Sequence, residues 1–600
     1  MPAQAHRQAA ETGSAETHFD IGNANFENGH QAAAVESYRR AIELKPDFAE
    51  ARNNLGSVLA DLGRHEEAIA SYRSALALSA DFAYCHFNLG NALDDLKRHE
   101  EAIASYRSAL ALSPDFAEAH NNLASALNDL KRHDEAIASC QKALALKPDF
   151  AEAHNNLGYA LNALKRHGEA IASCRSALAF KPDFAVAYSN LGSALDAVKR
   201  HEEAIASFQK ALGIQPDLAE AHGNLGLALS ALDRHEEAIP YYRKALAFKP
   251  DLVEAHNNLG NALDALNRHA EAMASYRRAL AVDPDNVGAH QNLSLALLAS
   301  GDLERGWKEY EWRWATKDNS RMGDFVQPLW RGAEDPSGRT ILLHSEQGFG
   351  DTLQFVRYAP LLAARGARVV LQVQPPLMAL MEGLTGVDVI VAQGDALPAF
   401  DFHCPLLNLP LAFGTTLQSI PAQTPYLHAT ADRIAKWQAL LGERAGPRIG
   451  LAWSGNRNQK NDHNRSIALA RLLPLLSVPG VRFVSLQKDL RAGEAEVLGD
   501  RSAIAHIGDQ LDDFADTAAV VSLLDLVISV DSAVAHLAGA LRQPLWVLLP
   551  FAAGWRWLLD REDSPWYPGA RLFRQPHTGD WDSVIARVRE ELRRRLALTG

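Results

Sequence analysis

The sequence predicts a multidomain protein, an all-α superhelix of short helical repeats followed by an α/β pair of doubly wound, Rossmann-like units. Three observations carry that prediction. Residues recur on one 34-residue register through the first half of the chain. Between recurrences the apolar spacing is helical. After about residue 335 the register stops, and short apolar runs alternate with helix-like segments. Six hundred residues also exceed what a single core supports.

The register comes first, because a fixed period is the signature of a stacked array. Pro46, Pro114, Pro148, Pro182, Pro216, Pro250 and Pro284 share it, with Ala80 filling the one gap. So do Asn54, Asn88, Asn122, Asn156, Asn190, Asn224, Asn258 and Asn292, each followed by Leu. Between prolines lie two amphipathic stretches, with Leu55, Val58 and Leu59 on one face and Ala68, Tyr72, Ala75 and Leu76 on another. Gly56 and Ala68 are small where paired helices must approach, and Pro46-Asp47 interrupts the chain between hairpins. Cys140 and Cys174 fall where other repeats carry Tyr106, Phe208 and Tyr242, so they read as core filler.

This pattern resembles the tetratricopeptide repeat. Eight full repeats and a variant ninth span 15–320, after an N-terminal tail over 1–14. The resemblance implies a concave face that holds a protein or peptide partner. It also implies that the Asn register forms a ladder of amides along the bound backbone, as in O-linked N-acetylglucosamine transferases. Asn is a mediocre helix former, so its recurrence in mid-helix needs a local reason, of which consensus preference is the other. His65, His99, His133, His167, His201, His235 and His269 share a register too. Helices pack about 8–10 Å apart and each repeat has two, so these histidines are too far apart for one metal and read as turn packing.

Bulk composition narrows the partners. A formal net charge of −13 argues against nucleic acid or an anionic membrane. No apolar run reaches the roughly 18 residues of a membrane span, and the amino terminus has no apolar signal region. Four cysteines make no disulfide framework, and a cytoplasmic location is expected.

The second half is read as a linker over 321–337, one Rossmann-like unit over 338–430 and another, with a terminal helix, over 431–600. Strands are expected at TILLHS, ARVVLQV and VDVIVA in the first unit. RIGLAWS, VRFVSLQ, AIAHIG, LVISV and PLWVLLP follow in the second. Two such units leave a cleft at the carboxyl ends of their strands.

Three stretches carry a further resemblance: SEQGFGDTLQFVRYAPLL (345–362), LAWSGNRNQKNDHNRSI (451–467) and VISVDSAVAHLAGALRQPLWVLLP (527–550). The half they belong to is similar to GT-B glycosyltransferases, specifically the heptosyltransferase-like family, and the whole chain resembles bacterial fusions of repeats to that domain. Ser532 and Ala533 stand where the family has Thr and Gly. The resemblance implies sugar transfer from a nucleotide-diphosphate sugar to an acceptor hydroxyl, inverting, with no metal and no resident cofactor. It gives Asp351 as general base, with Glu346 as the alternative carboxylate; a helix cap is the competing role for Asp351.

For the donor diphosphate, the start of the helix after Asp531 offers amides and a favourable dipole, with Ser532, Ala533 and His536 nearby. Lys460 and Arg465 are the candidate cations, and Ser454, Gly455, Asn456, Gln487 and Lys488 the further contacts. Gly348 and Gly350 give G-x-G at the first turn, but Leu353 replaces the third glycine of a dinucleotide fingerprint. Trp555-Arg556-Trp557 is left unranked between packing and stacking. Two alternatives stay open. One is a non-catalytic interaction scaffold with a degenerate transferase domain, the other an envelope-polysaccharide transferase that uses its repeats only for docking.

Overall fold

The structure, a computed structural model, describes residues 13–315, 325–444, 446–459, 461–499 and 504–599. It divides into two compact units, Met1–Pro250 and Asp251–Gly600.

Among the described residues the first unit holds seven helix pairs, from Ala15–Glu27 with Gln31–Leu44 to Ala219–Ala231 with His235–Phe248. Each first helix has 13 residues and each second helix 14. The pairs close on a small-against-large contact. A Cβ on Gly56 would stand 2.6 Å from the Tyr72 ring, and Gly22/Tyr38, Gly192/Phe208 and Gly226/Tyr242 repeat the arrangement. At that register position Cys174 meets Gly158, and Ala124 and Cys140 hold the equivalent places one repeat earlier; both thiols are fully buried. Burial pushes each thiol up to about 12, as expected of core filler. The turn inside each pair passes through the left-handed region, at Gly29 and Gly63 and then at Lys97, Lys131, Lys165, Lys199 and Asp233.

The second unit begins with two more pairs. Val253–Ala265 packs with His269–Val282, and Val287–Ala299 with the shortened Leu303–Tyr310, which runs into a 3-10 turn at Glu311–Ala315. Trp307 in that last helix meets Trp555 edge-on at 5.2 Å and Phe355 at 6.0 Å, so the final repeat is part of the core beneath the sheets.

Both sheets are wholly parallel. The first orders β1 (Thr340–His344), β2 (Arg368–Val373), β3 (Val389–Ala392) and β4 (Phe402–Pro405) as β3-β2-β1-β4. The second contains β5 (Arg448–Ala452), β6 (Arg482–Ser485), β7 (Ile504–His506), β8 (Leu526–Val530), β9 (Leu545–Leu549) and β10 (Ala570–Arg574). Its order is β10-β9-β8-β5-β6-β7, the doubly wound sequence of a Rossmann sheet. Every residue of β5, β8 and β9 is buried, as strands covered on both faces require. A 19-residue helix, Trp581–Thr599, covers one face against Leu469–Leu476. Among the described residues no helix is long and apolar enough to cross a membrane.

Candidate functional site

In a parallel sheet that winds both ways, the strand order reverses at one point, and a crevice opens outside the carboxyl ends there. Those points lie between β1 and β4 and between β5 and β8. The turns after β1, β5, β6 and β8 line a single cleft of about 1510 Å³. Glu346, Gly348, Gly350, Asp351, Ser454, Gly455, Asn456, Arg465, Gln487, Lys488, Asp531, Ser532, Ala533 and His536 all face it. Lys460 lies outside the described residues.

The turn after β1 supplies two carboxylates in different settings. Asp351 sits in the first turn of helix Phe349–Phe355, where its Oδ2 accepts the Gly348 N–H at 3.2 Å. It therefore does cap the helix, with Gly348 at ordinary negative φ. Its Oδ1 is held by Arg556, and both side chains keep 17% exposure to the cleft. Glu346 is almost fully enclosed, 3.0 Å from Arg313 of the 3-10 turn. Burial raises its carboxyl to about 7 in spite of that cation. Gly350 is small for a packing reason: a Cβ there would lie 2.8 Å from His536 Cδ2.

The turn after β5 is organised around Arg465. Its guanidinium lies over Gly455, where any Cβ would collide with it. Nη1 donates to the Asp531 carbonyl at 3.2 Å, and Nε lies 3.5 Å from Asp462 Oδ1. Asp462 also pairs with Arg491 and accepts from Ser466. Burial alone would raise the Asp462 carboxyl, but those donors hold it below the usual range. Gly455 N–H donates to Ser466 Oγ, Ser454 N–H donates to Gln487 Oε1 at 3.1 Å, and Asn456 Oδ1 accepts from the Asn458 N–H. Lys488 turns to the Asp512 carbonyl at 3.2 Å.

After β8, Ser532 caps helix Ala533–Ala540 without using its hydroxyl, which pairs instead with Ser529 Oγ at 2.9 Å. The first-turn amides at Ala533 and Val534 thus stand at the cleft wall without a side-chain cap. His536, one turn in, bonds Tyr567 Oη at 3.0 Å. Burial, reinforced by Arg556, lowers its imidazole to about 3, so the ring is neutral at pH 7.

The sequence leaves Arg556 unranked and gives no sign of Arg313. The signal for Arg556 was the flanking pair Trp555 and Trp557, both buried, which fix the turn that aims it. The second half also carries an Asp-x-Asp, Asp580-Trp581-Asp582. Asp580 there accepts from the Ser583 N–H at 3.0 Å, and neither aspartate lines the cleft.

In the repeats, the Asn register is engaged within the array. Asn88, Asn156 and Asn190 each donate to an amide oxygen of the preceding repeat, on Asn53, Asn121 and Asn155, at 2.8–3.2 Å. Asn54 and Asn122 donate to Asn23 and Asn91, Asn224 to Ser193, and Asn292 to Asn257. The histidines accept or donate at helix ends, as in His99 Nδ1 with Asp94 at 2.7 Å and His167 with Asn162 at 2.7 Å. Among the described residues only Asp94, His99 and Asp129 cluster closely enough to suggest a cation, and His99 already pairs with Asp94. A feature not read from the sequence is an exposed apolar stripe. Leu44, Leu78, Leu112, Leu146, Phe180, Ile214 and Phe248 are each 43–52% exposed at the end of the second helix. A groove of about 620 Å³ beside Leu146 is lined by Leu110, Leu123 and Leu127. The 34-residue spacing of those residues was visible in the sequence.

Tetratricopeptide-repeat family models match residues 19–81 and 87–149, 127–195, and 183–251 and 217–285. Protein FlbA of Caulobacter vibrioides is 29% identical over 322 residues, covering 50% of this chain and 53% of FlbA. The chain thus spans about half the length of that curated relative. Among solved structures, MamA is 25% identical over 28% of this chain and 92% of its own, with a TM-score of 0.27. YrrB, described as a TPR protein with an unusual peptide-binding site, is 26% identical over 31% and 97%, with a TM-score of 0.28. The helical array of this chain is therefore built of tetratricopeptide repeats.

Proposed function

We propose that the sheet-bearing half is a glycosyltransferase of GT-B type, moving a sugar from a nucleotide-diphosphate donor to an acceptor hydroxyl. One observation carries the reading: a carboxylate, a cation and an uncapped helix amino end converge on one cleft at both switch points. The donor diphosphate sits against the Ala533 and Val534 amides, where the helix dipole favours an anion, with Arg465 over it. Arg465 is pre-aimed by Asp462, so little ordering is needed on binding. Asp351, on the opposite sheet's turn, takes the acceptor proton as the sugar bond forms. No metal and no resident cofactor are invoked, because cationic side chains and the helix end offset the leaving charge.

The acceptor is a protein or peptide gripped by the repeats. The tetratricopeptide repeats and the exposed apolar stripe support that choice. A second reading, a purely interacting scaffold, is favoured by those same repeats if the cleft takes no nucleotide. An envelope-polysaccharide acceptor with the repeats used for docking is the third.

Calorimetric titration of the full chain with UDP, GDP, ADP, CMP and their sugar conjugates tests the proposal. One nucleotide should bind to wild type and to Asp351→Asn, and binding should be lost in Arg465→Ala. Absence of any nucleotide binding overturns the transferase reading and leaves the scaffold.

A further inference from the structure

Asp351 is engaged twice, by the Gly348 N–H at one oxygen and by Arg556 at the other. Both carboxylate oxygens are therefore occupied, and an acceptor hydroxyl finds neither of them open. Arg556 is itself placed between two anion positions. Its turn follows Gly554, where a Cβ would lie 3.3 Å from Asp531 Oδ2, the residue that leads into helix Ala533–Ala540. On the other side, Gly350 and His536 bring the Asp351 turn against the first turn of that same helix. Arg556 thus lines the same cleft as the carboxylate and the uncapped amides. Asp351 and Asp531 both favour its charge, and Trp555 supports its guanidinium 4.4 Å from the ring centroid.

We propose that Arg556 is a donor-phosphate ligand that guards the base: it pairs with Asp351 until a diphosphate at the Ala533 helix end draws it away. This rests on the transferase reading of the same cleft. An arginine suits both partners, since its planar fork matches carboxylate and phosphate oxygens alike. The exchange swaps one ion pair for another: Arg556 goes over to the phosphate oxygens, and Asp351 is left an unpaired carboxylate in the cleft, open to the acceptor hydroxyl. Its consequence is order: the acceptor hydroxyl meets a competent base only after the donor is in place. A polar acceptor or water arriving alone finds Asp351 occupied.

The coupling has a sign that simple charge loss at a binding site does not share. If Arg556 must leave Asp351 to reach phosphate, then removing the Asp351 charge frees it beforehand. Asp351→Asn should bind the cognate nucleoside diphosphate, and inorganic pyrophosphate, roughly tenfold more tightly than wild type. Arg556→Met should bind both more weakly. In Arg556→Met the Asp351→Asn substitution should change affinity little, because the partner it released is gone. Arg556→Lys, which keeps the charge and loses the fork, guards against misfolding of the Met variant and should bind at an intermediate strength. Melting temperatures of all four chains report whether each is folded.

The outcomes separate cleanly. Should wild type bind neither pyrophosphate nor any nucleoside diphosphate, the transferase reading itself fails, and this inference with it. Should wild type bind, Arg465→Ala weaken binding and Arg556→Met leave it unchanged, the transferase reading stands and Arg556 is no ligand. If Asp351→Asn tightens binding equally with and without Arg556, the effect is plain relief of repulsion, and the guard is refuted.

Discussion

Glu346 and Arg313 form an enclosed ion pair, 3.0 Å apart, between the turn after β1 and the 3-10 turn that follows the last repeat helix. The same guanidinium reaches Asn408 and the Tyr310 carbonyl, while Tyr310 Oη accepts from Gln347 Nε2 at 2.9 Å. The carboxylate side of the cleft is thus braced by residues of the final repeat.

That brace gives a pH-dependent prediction. Removing one partner of a buried pair strands the other, at a cost of about 3–5 kcal/mol. Arg313→Leu should therefore lose about that much stability at pH 8, where Glu346 is ionised in the native protein. With its folded carboxyl raised to about 7, Glu346 is protonated at pH 5, and the loss should shrink there. Urea midpoints of the full chain at the two pH values measure the difference, and equal losses would contradict it.

His344 and His403 make a second enclosed pair, Nε2 to Nδ1 at 3.1 Å, beneath Phe325. Burial, with His403 beside it, lowers His344 to about 3. A depressed histidine is protonated first in the unfolded chain, so stability falls as pH drops from about 6.5 toward 3. The slope is up to about 1.4 kcal/mol per pH unit for each such proton. In His344→Phe that contribution to the slope should vanish, as followed by thermal unfolding across the interval.

Gly350 should tolerate no side chain. The ring it meets, His536, is itself enclosed and tied to Tyr567, so it cannot yield. Gly350→Ala should cost about 1–3 kcal/mol by overpacking. The double variant with His536→Ala should recover part of it, and a melting curve for each chain decides.

In the repeats, Asn91 Oδ1 accepts from both Tyr106 Oη and Asn122 Nδ2, each at 2.9 Å. Asn91→Ala leaves the part-buried Tyr106 hydroxyl without that acceptor, a loss of about 1–3 kcal/mol. Asn122→Ala removes one donor and spares Tyr106, so it should cost about 1 kcal/mol. Equal effects on stability would mean that the shared acceptor is not what matters.

The helices were legible because 34-residue repetition shows each position many times, and Gly56 with Tyr72 declares its packing by size alone. Of the strands, β4 and β10 were missed. FHCP is four residues ending in proline, and ARLFR alternates charge with apolar residues, so neither makes an apolar run. The cleft residues were reachable because each lies in the turn or the short helix that follows a strand read from its own apolar run. Arg556 was not, since the carboxylate that explains it lies 205 residues away. The Asn register was legible as a pattern, but its inter-repeat partners, 31 or 35 residues back, emerge only when neighbouring repeats stack.

Trp307 carries a last consequence. Because that ring sits against Trp555 and Phe355, the seam along which this chain can be lengthened, shortened or recombined does not lie where helices give way to strands. Nor does it lie just before Val287, because Asn267 of the preceding pair donates to the Phe551 carbonyl at 3.0 Å. The blocks bearing Asn267, Trp307, Tyr310 and Arg313 must be inherited with the sheets, and exchange of 34-residue blocks is left to the repeats upstream of them.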